Sequence, residues 1–405
     1  TMQSSDRTEC PSDLVIVDFA DIVANPTGKD GNGKDIAPIL ARAFGGEKCL
    51  GVLAIRNIPG FCEAKQSFLP KAHTLAHLPK PYLETFLEDE KSFYNAGWSH
   101  GKEKLRGDKP DLAKGSFYFN PVTDRPGSES DREKYPASYP CNIWPDEKFI
   151  PGFEGAAKNL GKLMHTVVSH LARHIDAYAS SRLNKSTGLE EKLIQYPEDF
   201  LYDTMHNTEK LKGRLLYYFP LESDAGDDNN EEDNEDSWIG WHNDSGFVTA
   251  LAGDMYVDDN TGEKIENPDI HAGLYVMNRN GDKIKVDIPE DCMGIQLGEC
   301  VQIITGGDLV ATPHCVRGVS GGNISNQGVK NVGRISFPCF VDSVPGFPLT
   351  MPNGCTRDKV LRSGVGNSRV PPLGKRWIEY GMAFGDFLQR TFAMYYDWSE
   401  NKEKD

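Results

Sequence analysis

Apolar residues recur at intervals of three and four through Phe153, Ala156, Leu160, Leu163, Met164, Val167, Leu171, Ile175 and Tyr178. That is the period of one buried helix face and predicts a long helix over residues 153–178. A similar stripe of Trp377, Phe384, Leu388, Thr391 and Tyr395 predicts an amphipathic helix over 377–398. Residues 64–90 also carry Leu and Phe at helical spacing, and 36–44 read as a helix stopped by Gly45-Gly46. Elsewhere the period falls to two and the apolar runs become short. Strands are predicted at 15–19, 52–55, 215–220, 274–277, 283–288, 295–305, 312–316 and 334–341, with a turn signal at Asn280-Gly281.

Many short strands with frequent turn signals predict a double-sheet jelly roll, a double-stranded β-helix, within an α+β fold. The expected layout is a mixed helical N-terminal region over 1–210, a catalytic core over 211–345 and a C-terminal helical extension over 346–405, packed as one unit. Residues 94–145 are rich in Gly, Pro, Asn and aromatics and lack clear periodicity. So long a connection is expected to drape over the mouth of the barrel and line a substrate pocket.

The densest chemistry lies in Trp241-His242-Asn243-Asp244. Side chains two apart on a strand share a face, so His242 and Asp244 present an imidazole and a carboxylate side by side. His314 is the natural third donor, and two His with one carboxylate leave the open positions that non-haem Fe(II) oxygenases use. Further on, Arg334 and Ser336 again stand two apart, a planar cation and a hydroxyl suited to holding a carboxylate. Arg317 competes for that role because it lies three residues past His314, but it lacks a serine two residues on.

This ordered set resembles the isopenicillin-N-synthase-like 2-oxoglutarate/Fe(II) dioxygenases, whose signature is His-x-Asp, a distal His and Arg-x-Ser. Asp18 after Val15-Ile16-Val17, the run Gly51 to Asn57, Ala272 to Val276 and Leu297 to Gln302 are similar to further strands of that family. The resemblance implies His242, Asp244 and His314 on Fe(II), with Arg334 and Ser336 on the co-substrate 2-oxoglutarate. It also implies use of O₂ to oxidise a small, amino-acid-derived or natural-product substrate by hydroxylation or ring closure, with release of succinate and CO₂. An oxidase that needs no keto acid, or a binding protein without turnover, are the alternatives. Where the family has a co-substrate Tyr, this chain offers Tyr217 and Phe219; either Tyr217 takes that place or Arg334 and Ser336 act alone. Trp98, Tyr118, Trp241 and Phe247 are candidate pocket residues by position.

Composition narrows the partners. The net charge is −16, and nine acids without a base fall within residues 222–236, leaving the remainder at only about −7. No basic stripe suggests nucleic acid, and no apolar run reaches the 18 residues or so that a membrane span requires. The acidic stretch lacks the residue order of an EF-hand and is expected to be a solvated loop. Nine cysteines without a CxxC pair argue against a disulfide framework and for a reducing, cytoplasmic compartment, or an organellar one if a targeting peptide has been removed. A monomer is expected. His170 and His174, one turn apart on the predicted long helix, have no evident third metal donor and are expected to be structural.

Overall fold

Thirteen strands of a computed structural model wind into two sheets. They are β1 Val15–Asp18, β2 Val52–Arg56, β3 Gly97–His100, β4 Lys114–Phe119, β5 Leu211–Tyr218, β6 Ile239–His242 and β7 Val248–Asp258, followed by β8 Lys264–Ile265, β9 Gly273–Met277, β10 Lys283–Val286, β11 Met293–Leu297, β12 His314–Arg317 and β13 Val332–Val341. The described residues are 14–24, 34–46, 48–102, 110–186, 199–221, 238–319, 331–352, 354–363 and 370–401. The polar residues 1–12, the acidic run 222–236 and most of the insert 318–331 lie outside them.

The major sheet runs β1-β2-β11-β7-β13-β5-β4-β3, with β8 against β7; the minor sheet runs β10-β9-β12-β6. Among the described residues, β1–β2 is the only parallel strand pair. The chain passes from one sheet to the other between β5 and β6, β6 and β7, β8 and β9, β10 and β11, β11 and β12, and β12 and β13. These crossings roll the two sheets into the expected double-stranded β-helix.

The major sheet is covered on its outer face by the helix Phe153–Ser186, whose Leu160, Met164, Val167, Leu171 and Ile175 are fully buried. An aromatic cluster joins the two layers. Phe119 and Phe337 stack at 5.6 Å, Phe68 meets Phe337 edge-on at 5.2 Å, and Phe117 meets Phe153 at 5.0 Å. Gly213 is required beneath them, because a Cβ there would come within 3.0 Å of the rings of both Phe119 and Phe337. His174 of the same helix is buried with Nε2 3.0 Å from the Ile22 carbonyl, and His165 sits 2.7 Å from that of Met205, so these histidines tie backbone segments together.

Three expectations change. Residues 94–145 are not an irregular cover over the mouth: β3 and β4 extend the major sheet, with Phe117 and Phe119 on the helix-covered face and Ser116 and Tyr118 on the other. The strand expected over 295–305 ends at Leu297, and Glu299–Ile304 is a buried helix. The C-terminal helix begins at Phe384, while Trp377 caps the short helix Leu373–Arg376 and is buried in the core.

Phe337→Ala removes a fully buried ring from both layers. It is expected to cost about 3–5 kcal/mol, measured by denaturant unfolding; a loss comparable to that of an exposed-site change would show that the cluster does not join sheet to helix.

Candidate active site

On the minor sheet His314 of β12 lies directly opposite His242, the last residue of β6. Their rings sit 4.2 Å apart by centroid, and Asp244, just past the strand end, brings Oδ1 to 4.0 Å from His314 Nε2. One donor atom from each of the three lies within 4.8 Å of the others. Both imidazoles are oriented by their own backbone: His242 Nδ1 is 2.8 Å from the Gly240 carbonyl, and His314 Nδ1 is 3.1 Å from that of Thr312. Donation from Nδ1–H leaves each Nε2 lone pair pointing into the cavity, the tautomer a metal requires. Burial, together with the nearby His314, pushes the His242 imidazole down to about 4, so it is neutral near pH 7.

Asp244 is fixed as firmly. Thr249 donates its hydroxyl to Oδ2 at 2.6 Å, and the Glu299 amide donates to the Asp244 carbonyl at 2.8 Å. Gly298 permits this approach, since a Cβ there would stand 2.1 Å from the Gly246 carbonyl oxygen. Beneath the loop, Arg376 holds Glu299 through two 2.5 Å contacts in full burial, and Asn243 donates to the same carboxylate at 3.1 Å. Asn243, the residue between His242 and Asp244, is thus anchored to a buried ion pair.

The triad opens into a cavity of about 570 Å³. Leu216, Tyr218, Leu251, Leu274 and Val286 give it apolar walls, and Arg334 and Ser336 of β13 lie on the major-sheet side. Arg334 is buried, 4.8 Å from the Tyr218 ring. Burial disfavours its charge, but Asp254 beside it raises the guanidinium above the usual arginine range. Asp254 reaches Arg334 because a bulge in the β7–β13 ladder skips it: Ile335 pairs with Met255 and Ser336 with Gly253. Among the described residues, Arg334 Nε and Nη1, Gln296 Nε2 and the Tyr256 hydroxyl are buried without a hydrogen-bond partner, and all three side chains line the cavity. Unmet donors on a cavity wall suit an oxygen-rich, anionic ligand. Two imidazoles and a carboxylate suit Fe(II).

No protein-family model and no curated protein matches this sequence. Solved structures match it along nearly its whole length. A full-length Neurospora crassa protein, solved in complex with alpha-KG, is 17% identical with a TM-score of 0.61, over 97% of this chain and 100% of that one. A putative 2OG-Fe(II) oxygenase family protein from Caulobacter crescentus is 19% identical with a TM-score of 0.60, over 94% and 99%. JOX2, in complex with 2OG, Fe and JA, is 15% identical with a TM-score of 0.55, over 94% and 85%.

The chain has the fold of the 2OG-Fe(II) oxygenases. Within that fold, His242, Asp244, His314, Arg334 and Ser336 come together around one cavity, whereas the other candidates are redistributed. Tyr217 faces away: its hydroxyl donates to Asp259 on the opposite side of the major sheet, while its neighbour Tyr218 faces Arg334. Trp98 packs on Gly115 in the core, and Phe247 packs between Phe347 and Phe384. Trp241 points to the outer face of the minor sheet with Met277 and Cys315, as the residue before His242 on a strand must. Tyr118 stands behind the wall, 5.2 Å from Arg214, which does line the cavity. Arg317 lies outside the cavity lining. Two-residue periodicity from Leu216 would have found Tyr218 and Arg214; Thr249, Asp254, Glu299 and Arg376 leave no sequence signal because pairing and bulges bring them in.

Arg376→Ala leaves Glu299 buried without its partner. A loss of roughly 3–5 kcal/mol is expected by denaturant unfolding, and weaker metal binding in whatever remains folded; unchanged stability would show that the pair does not brace the loop. The His242 shift sets a pH dependence. Between about pH 6.5 and 4 the unfolded chain protonates His242 while the folded chain does not, so the metal-free protein loses stability as pH falls through that window. His242→Asn is expected to flatten the slope of Tm against pH there; parallel slopes would contradict it.

Proposed function

We propose that this protein is an Fe(II)- and 2-oxoglutarate-dependent oxygenase that uses O₂ to oxidise a small molecule. The reading rests on one observation: three pre-oriented metal donors face, across a single cavity, a buried arginine with unmet donors. His242 Nε2, His314 Nε2 and an Asp244 oxygen would hold the metal. When bound, Fe(II) supplies the activation of O₂ together with oxidative decarboxylation of the keto acid. Arg334 and Ser336 would hold the far carboxylate of 2-oxoglutarate, and Leu216, Tyr218, Leu251 and Leu274 would exclude water from the reacting groups.

The solved relatives support a small substrate: the Neurospora crassa protein has been solved with thymine and with 5-formyluracil. For this chain we favour an amino-acid-derived or natural-product substrate, altered by hydroxylation or ring closure. The cavity lining carries both signs, Arg214 and Lys264 beside Glu266, Asp287 and Glu290, with Glu290 paired to Lys264 and Asp287 to Lys285, which suits a substrate of little net charge, such as an amino-acid derivative.

A second reading has its own support. Asp254 already occupies one edge of the Arg334 guanidinium, which is what an oxidase that dispenses with 2-oxoglutarate would tolerate.

Anaerobic titration with Fe(II) and then 2-oxoglutarate, followed by succinate measurement in air, separates the readings. Binding of both and succinate release are expected, with metal binding lost in His242→Ala and 2-oxoglutarate binding weakened tenfold or more in Arg334→Gln. Fe(II) binding that survives His242→Ala would end the proposal. Fe(II) binding without 2-oxoglutarate binding would select the oxidase.

A further inference from the structure

On the opposite face of the major sheet, the helix Lys71–Ala76 and the loop after β7 bring His73, His77 and Asp259 together, one donor atom of each lying within 4.8 Å of the others. His73 and His77 are one turn apart, their rings 4.2 Å between centroids and tilted by 31°. His73 Nε2 is 2.8 Å from the Asp259 carbonyl oxygen, and His77 Nε2 is 3.3 Å from the Asp259 carboxylate. Tyr217 closes the base, donating its hydroxyl to that carboxylate, with its ring 5.9 Å from His73 and 5.5 Å from His77.

We propose that His73, His77 and Asp259 form a second metal site, independent of the cavity triad, that takes a divalent transition ion such as Zn²⁺. His77 is oriented as His242 and His314 are: its Nδ1 lies 2.8 Å from the carbonyl of His73, which turns the Nε2 lone pair toward the cluster. In that tautomer the lone pair faces the Asp259 carboxylate, and two acceptors at 3.3 Å are held together by a shared cation or by protonation of the ring. Donors bound to one tetrahedral Zn²⁺ at about 2.0–2.1 Å stand roughly 3.4 Å from each other, which the 3.3 Å between His77 Nε2 and the Asp259 carboxylate already matches, while the whole set lies within 4.8 Å. On binding, the His73 proton would move from Nε2 to Nδ1, freeing Nε2 from the Asp259 carbonyl and leaving two imidazole nitrogens, a carboxylate and that carbonyl as donors. Nitrogen with oxygen and no thiolate suits Zn²⁺ or Cu²⁺ over Ca²⁺. Such an ion would clip the helix to the end of β7, the strand that also carries Thr249 and Asp254.

The test is calorimetric titration of the metal-stripped full-length protein with Zn²⁺. Two equivalents are expected for the wild type, falling to one in His77→Gln and to one in His242→Ala. His77 is 39% exposed, so His77→Gln should fold, checked by far-UV circular dichroism. Asp259→Asn should weaken the second equivalent tenfold or more, which an ion held adventitiously by one surface imidazole would not show. A wild type that binds a single equivalent lost in His242→Ala, or a stoichiometry indifferent to His77→Gln, overturns the proposal. A single equivalent kept in His242→Ala and lost in His77→Gln supports this site and refutes the cavity triad instead.

Discussion

Side chains on a strand repeat every two residues, so the whole cavity depends on the register in which β12 lies against β6. Pairing His314 with His242 places both imidazoles on the inner face and Trp241 and Cys315 on the outer one. A slip of β12 by one residue would turn His314 to the outer face and Cys315 inward, so the cavity would lose one of its two imidazoles and the outer cluster would lose Cys315. The outer residues therefore help to fix the register that the inner ones use. Both histidines then need only the carbonyl two residues upstream to fix their tautomer.

Asp244 lies beyond the strand and cannot be placed by the ladder. Its position comes from the next layer: Thr249 on its carboxylate, the Gly298–Glu299 turn on its carbonyl, and Arg376 beneath. A buried ion pair of this kind contributes little net stability by itself but is costly to break, which makes it suited to specifying one geometry. Arg334 presents the same physics with a different result. Its partner Asp254 keeps the guanidinium charged in a buried wall, while two of its nitrogens have no hydrogen-bond partner among the described residues.

Much of this was legible from the chain alone. The helix Phe153–Ser186 and the short strands of the roll follow from periodicity, and the set His242, Asp244, His314, Arg334 and Ser336 is assembled from two two-residue spacings together with the resemblance to a known signature. The aromatic candidates were different. Trp241 and Phe247 lie beside the His-x-Asp motif, Trp98 comes from the aromatic stretch 94–145 and Tyr217 from the resemblance, yet adjacent positions on a strand face opposite ways, and all four went to the core or to the far side of a sheet.

The sequence by itself determined the repeat lengths, the helix faces and the residue types able to bind a cation and an acid, because these properties reside within a few neighbouring residues. Which tyrosine faces Arg334, how Asp254 escapes its ladder, and that His73 and His77 meet a residue more than 180 positions later were decided by strand pairing and a bulge. Those are contacts between distant segments, fixed only when the sheets close and the shared core is buried.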